Sequence, residues 1–156
     1  MSQQQTLAEL QQRIGQEIHT SEWVDVTQAR IDAFAEATGD HQWIHVDPAR
    51  AVRESPYRAT IAHGYLTLSL YPMLRGLVAA DRPVFPGVKQ VINYGLDKLR
   101  FPSAVRAGSR VRAHCTLLKV EEVPGGLQVT EQFSVEIEGQ EKPACVAAAI
   151  MRLYFE

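Results

Sequence analysis

The chain has 156 residues, 46% of them hydrophobic and 22% charged, with a formal net charge of −2. That is enough for one domain, 1–156, with a substantial core, and it lacks the basic excess expected of a nucleic-acid binder. Met1 to Gln12 is polar and Gln-rich rather than a charged-then-apolar leader, so no secretory signal is expected and the expected compartment is the cytoplasm.

Ile14 to Trp23 reads as a first strand. Thr27 suits the N-cap of a helix in which Ile31, Phe34, Ala35 and Thr38 recur at helical spacing. Gly39 suits the left-handed position that closes such a helix. Asp47-Pro48 is a second start signal, with Asp as N-cap and Pro at the first helical position, and this short helix should end before Pro56. Between the two lies Asp40 to Val46, read as a non-helical connector held at both ends.

Ile61 to Ala80 is the longest apolar run, interrupted by His63, Pro72 and Arg75. It reads as a buried helix from about His63 to about Val78 rather than a membrane span, because Arg75 near a bilayer centre would be costly. Tyr65, Leu66, Leu68, Leu70, Tyr71, Met73, Leu74 and Leu77 make it apolar nearly all round, which predicts protein on every side. Pro72 removes one backbone hydrogen bond and should bend it.

The second half reads as strands. Val88 to Phe101 is extended, with Gly95 as a bulge candidate. Val111, Ala113, Cys115 and Leu117 alternate with polar residues, as do Leu127, Val129, Phe133, Val135 and Ile137. Gly125-Gly126 joins these two runs as a tight hairpin. Glu131 falls on the apolar phase of its strand, which the pattern does not explain. Ala144 to Phe155 is apolar on both phases, as expected of a central strand buried on both faces. Cys115 and Cys145 form neither a disulfide framework nor a metal spacing and read as reduced core thiols.

The candidate chemistry sits in Thr38-Gly39-Asp40-His41-Gln42-Trp43-Ile44-His45 and in Ala62-His63-Gly64-Tyr65. Asp40 and His45 offer a carboxylate and an imidazole just after a helix stop. Gly64 stands where the apolar helix begins, with free N–H groups and no side chain to block close approach. An acid/base pair beside such N–H groups is most of what adding water to an activated double bond requires. Asp40, His41, His45 and His63 also offer metal ligands, but no third ligand stands at a recognisable spacing, so no metal is expected. Ser69 and Cys115 lack a nucleophile-elbow pattern, and with no Gly-rich dinucleotide loop no cofactor is expected.

One all-round apolar helix followed by four long antiparallel strands points to an α+β hotdog fold, an antiparallel sheet wrapped around a long central helix. Over nearly its whole length the chain resembles the MaoC-like dehydratases, the (R)-specific enoyl-CoA hydratases, and within them the branch related to the nodulation protein NodN. The likeness is densest at Phe34 to His45, at Ala62 to Leu66, and at Asn93 to Phe101. The hydratase signature Gly-Asp-x-Asn-Pro-(aliphatic)-His is matched at Gly39, Asp40, Ile44 and His45. Gln42 and Trp43 replace its Asn and Pro, which bears on pocket shape and substrate range.

The resemblance implies reversible hydration of trans-2-enoyl thioesters to (R)-3-hydroxyacyl thioesters, with Asp40 and His45 as the catalytic pair. The Gly64 N–H would receive the thioester oxygen. His63, Tyr65, Trp43, Gln42 and Asn93 are the candidate substrate contacts, although His63 also reads as a structural cap and Trp43 as a pocket wall. The implied carrier is coenzyme A, with acyl carrier protein the alternative, and Lys98, Arg100 and Arg106 are candidates for its phosphates. A homodimer is implied, with no nucleic-acid or membrane partner. Two rival functions are a thioesterase on the same fold and a non-catalytic acyl-thioester binding subunit of a hetero-oligomer.

Overall fold

The computed structural model describes residues 1–155. In chain order the elements are α1 (Gln3–Gln11), β1 (Glu17–Thr20), β2 (Val24–Val26), α2 (Gln28–Thr38), α3 (Trp43–Val46), α4 (Pro48–Glu54), α5 (Gly64–Ser69) and α6 (Tyr71–Leu74). The long strands β3 (Val88–Arg100), β4 (Ser109–Val123), β5 (Gly126–Ile137) and β6 (Cys145–Phe155) follow. All strand pairs are antiparallel, and the sheet runs β1-β4-β5-β6-β3, with β2 also paired to β4.

The period-2 pattern places one row of side chains inward. Val111, Ala113, Cys115 and Leu117 of β4, Phe133, Val135 and Ile137 of β5, and Met151 and Leu153 of β6 are buried. Against this face lie Leu66, Leu70 and Leu74 from α5 and α6. Burial of that row is the main stabilising force, since each fully buried aliphatic side chain contributes about 1.5–3 kcal/mol. A sheet curled over a buried helical segment is the expected hotdog arrangement.

Local signals read from the sequence hold at several points. Thr27 caps α2 through a hydrogen bond from the Arg30 N–H, and Gly39 closes it in the left-handed conformation, φ 81°. Asp47 caps α4, with Pro48 in its first turn. The β3–β6 register shifts between Asn93 and Gly95, so the bulge lies where expected. Gly126 is needed for a different reason from the turn itself. A Cβ there would lie 2.1 Å from the Leu153 carbonyl oxygen on the neighbouring strand.

Other expectations are corrected. The polar N-terminus forms α1, held by a reciprocal Ser2/Gln5 capping box and by burial of Thr6 and Leu10. The strand expected over Ile14 to Trp23 is shorter, covering only Glu17–Thr20 as β1, and β2 begins beyond it at Val24. Asp40 to Val46 is not wholly non-helical, because Trp43–Val46 forms one turn, α3. The buried helix is divided into α5 and α6 around Leu70, one residue before the Tyr71-Pro72 pair. It ends at Leu74, short of the expected Val78, and is not enclosed on every side, since Tyr65 is 67% and Met73 40% exposed. Nor is β6 buried on both faces: its burial alternates, with Val146, Ala148, Ile150 and Arg152 only half-buried.

Glu131 now has its explanation. It is completely buried and receives a bidentate pair of bonds from Arg75, at 2.8 and 2.9 Å, and a hydrogen bond from the Tyr71 hydroxyl at 2.9 Å. The Arg that interrupts the apolar helix is the counter-charge for the Glu that interrupts the apolar strand. Burial and the neighbouring Glu131 charge push the Tyr71 hydroxyl's pKa far up, so it stays a donor.

Candidate active site

Three segments converge on the candidate site: the turn after α2, the single turn α3, and the stretch 61–64 that leads into α5. Asp40 follows the left-handed Gly39 and is half-buried. Its carboxylate accepts the Gln42 backbone N–H at 3.3 Å. Partial burial works against its charge. The Gln42 hydrogen bonds outweigh that and hold the carboxyl below the usual Asp range.

His45 is 6% exposed, and its Nδ1–H donates to the Ile61 backbone carbonyl at 2.7 Å. A carbonyl only accepts, so this bond sets the neutral tautomer and leaves Nε2 with its lone pair. Burial lowers the His45 pKa. The Ile61 bond and the Asp40 charge oppose this, and His63 adds to it. The net effect is a ring kept in its basic, neutral form.

His63 is 3% exposed. Its Nε2–H donates to the Asp40 backbone carbonyl at 2.9 Å, and its ring stacks on that of His45 with centroids 3.8 Å apart. Phe34 packs on it at 4.9 Å. Its Nδ1 is buried and has no hydrogen-bond partner among the described residues, a state that typically costs about 1–3 kcal/mol. One oxygen of Asp40 and one ring nitrogen each of His45 and His63 lie within 4.8 Å of one another. The structure thus supplies the third donor that the sequence spacing hid. Each histidine spends one N–H on a backbone carbonyl, which fixes its tautomer.

His41 is not part of this group. It is exposed and pairs with Glu36 at 3.1 Å on the surface. Gly64 begins α5, where a Cβ would lie 2.9 Å from the Phe101 ring, so crowding is itself a reason for glycine. Tyr65 turns outward and meets Phe101 edge-on at 6.0 Å. Gln42 is exposed at the start of α3, and Trp43 is half-buried under the Arg50 guanidinium at 4.3 Å. Asn93 lies apart, on the exposed strand β3, where it lines a 410 Å³ groove with Leu68, Tyr71, Pro72, Leu96 and Ile150.

Two contributors escaped the sequence reading. The Ile61 carbonyl orients His45, and the Ile61 N–H bonds the Ile44 carbonyl at 3.0 Å, so this one residue clamps α3 from both sides. Gln28 of α2 braces the same turn by donating to the His45 carbonyl at 2.8 Å. Backbone groups carry no sequence signature, and Gln28 has only its polarity to mark it.

A curled antiparallel sheet, a buried helix and an Asp/His pair beside its start define a class, the hotdog-fold hydro-lyases. The family model described as MaoC like domain matches residues 9–137, and the chain belongs to that family. It is 48% identical over 149 residues to 3-hydroxyacyl-thioester dehydratase Z of Mycobacterium tuberculosis, covering 95% of both chains. It is 45% identical over 152 residues to Nodulation protein N of Rhizobium leguminosarum bv. viciae, covering 97% of this chain and 92% of that one. Among solved structures, the (R)-hydratase from A. caviae involved in PHA biosynthesis is 26% identical. The alignment covers 90% of this chain and 96% of that chain, with a TM-score of 0.71. The protein is a hydro-lyase of the (R)-hydratase and 3-hydroxyacyl-thioester dehydratase family. Among the described residues, no helix is long and apolar enough to cross a membrane.

Proposed function

We propose that the protein reversibly hydrates trans-2-enoyl thioesters to (R)-3-hydroxyacyl thioesters, with Asp40 and His45 as the catalytic pair. The observation that carries this reading is the close approach of the Asp40 carboxylate to the His45 ring, with His45 Nδ1–H already committed to Ile61.

His45 Nε2 takes a proton from a water molecule as the water oxygen bonds to Cβ of the enoyl thioester. Asp40, held ionised, accepts a hydrogen bond from the same water and orients it. The Cα=Cβ electron pair moves toward the thioester oxygen, which the Gly64 N–H receives. The proton taken from water returns through the Asp40 carboxyl to Cα, and the thioester carbonyl re-forms. Hydrogen and hydroxyl arrive from one side, and both side chains return to their starting states. The α5 helix has six residues, so the Gly64 N–H itself, rather than a long helix dipole, is the donor invoked.

The groove between α5, α6 and β3 has the apolar lining an acyl chain needs, and it starts one turn beyond Gly64. Coenzyme A is the carrier we favour, with acyl carrier protein as the alternative. Lys98, Arg100 and Arg106 are exposed and available to its phosphates. β3 is an edge strand, paired to β6 on one side only, with Ile92, Tyr94 and Leu96 exposed, which supports a homodimer in which a second copy covers its outer edge. We place the enzyme in the cytoplasm, as a single domain over 1–156.

The test is the near-UV absorbance of crotonyl-CoA, which is lost when the conjugated double bond is hydrated. Wild type should consume it rapidly, and Asp40→Asn and His45→Asn should each be slower by roughly 10²–10⁴-fold. No loss with crotonyl-CoA or with longer enoyl thioesters would sink the reading.

A further inference from the structure

We propose that His63 is a positioning residue that locks Asp40, His45 and the start of α5 into one proton-transfer geometry. The inference rests on the hydratase reading above. Two separate contacts carry it. The His63 Nε2–H bonds the Asp40 backbone carbonyl at 2.9 Å. Its ring lies on that of His45, with centroids 3.8 Å and planes 25° apart. The His63 backbone is the N-cap of α5, and its carbonyl accepts the Leu66 and Thr67 N–H groups at 3.0 and 3.2 Å. One residue therefore ties the segment that carries Asp40 and His45 to the start of α5, about twenty positions further on.

Ile61 and Gln28 hold the turn that carries His45, but of these contacts only the His63 bond reaches the Asp40 backbone. Neither Gln42 at the start of α3 nor His63 at the start of α5 makes a side-chain capping bond. Asp40 follows a left-handed glycine that imposes no direction on its carboxylate beyond the Gln42 amide. Acid/base transfer requires the groups to stay within hydrogen-bond reach of one water, and an error of an ångström is expensive in rate.

The unpartnered Nδ1 supports the same conclusion. A phenylalanine here would stack on His45 just as well and would leave no orphaned nitrogen. It would also have no donor for the Asp40 carbonyl. The imidazole is retained, with one nitrogen unsatisfied, for the hydrogen bond made by the other.

His63→Phe and His63→Gln separate the two contacts, because the Gln amide can place its N–H where His63 Nε2–H lies. In His63→Phe we expect kcat to fall by roughly 10–100-fold while KM stays within about twofold. In His63→Gln at least part of kcat should return. Crystal structures of both variants give a readout free of turnover. Asp40 should swing away from His45 in the Phe variant and stay in place in the Gln variant. Unchanged kcat in His63→Phe overturns the proposal. So does a rise in KM at constant kcat, which would make His63 a substrate contact. So does an equal loss in both variants with Asp40 unmoved, the signature of a ring that only fills space. If wild type hydrates no enoyl thioester, the hydratase reading fails by itself, and the two crystal structures still decide whether His63 holds Asp40 against His45.

Discussion

Arg75→Met tests the account of the buried charge cluster, and its size can be worked from the geometry. Glu131 is completely buried, and among the described residues its carboxylate is met only by Arg75 and Tyr71. Removing the guanidinium leaves a buried carboxylate with one hydroxyl donor. Breaking such a pair from one side typically costs about 3–5 kcal/mol. For a chain of this size, with each kcal/mol worth about 2–4 °C, the melting temperature should fall by roughly 6–20 °C. Tyr71→Phe removes one hydrogen bond to the same charge and should cost less, about 1.5–3 kcal/mol. The double change Arg75→Met with Glu131→Leu removes both charges and should recover most of the loss. The assay is denaturant unfolding of the variants, with activity followed in parallel, because α6 continues directly from the helix that Gly64 begins. A cost below 1 kcal/mol for Arg75→Met, or a double variant no more stable than the single, would refute the reasoning.

Three further outcomes are expected. His114 bridges Glu136 at 2.7 Å and Glu17 at 2.8 Å on the outer face of the sheet, and these bonds raise its pKa above the ordinary 6.5. Its stabilisation is therefore complete below pH 6.5 and fades as pH rises through the higher folded value. The Thr20 hydroxyl and then His114 lower the Glu17 pKa, and Arg112 and then His114 lower that of Glu136, so the carboxylates' share is lost only at more acidic pH. His114→Asn should then lower the melting temperature at mildly acidic pH and hardly at all in alkaline buffer, and a deficit independent of pH would contradict the assignment. Gly64→Ala drives a methyl to within 2.9 Å of the Phe101 ring and should cut kcat sharply, with Phe101→Ala restoring part of it; no relief by the second change would mean that crowding is not the cause. Cys115 and Cys145 are buried free thiols whose pKa values burial pushes up to about 12, so a thiol reagent should label neither until the protein unfolds.

The catalytic candidates were unevenly legible. Asp40 and His45 lie close together in one segment bounded by Gly39 and Asp47-Pro48, and local signals of that kind survive folding. The α1 helix went unread because its sequence has no apolar stripe. Its one advance sign was Ser2 followed by Gln5, the capping-box spacing now seen in hydrogen bonds. Asn93 was grouped with the site through a motif likeness, and it lines the groove between α6 and β3, whose lining does not include Asp40 or His45. Glu131 looked anomalous because its partner Arg75 is 56 positions away.

Turn residues, caps and period-2 alternation act between near neighbours, so the sequence alone determined the helix limits at Thr27 and Gly39, the bulge at Gly95 and the inward faces of β4 and β5. Tertiary structure decided what those elements meet. It brought the His63 ring onto His45, aimed His45 Nδ1–H at the Ile61 carbonyl, and divided the apolar helix while leaving Tyr65 exposed. The physical reason is range. A capping bond or an alternating strand is set by residues a few positions apart. The contacts that hold the candidate pair in place span 16 to 23 positions and form only when sheet and helix close on one core.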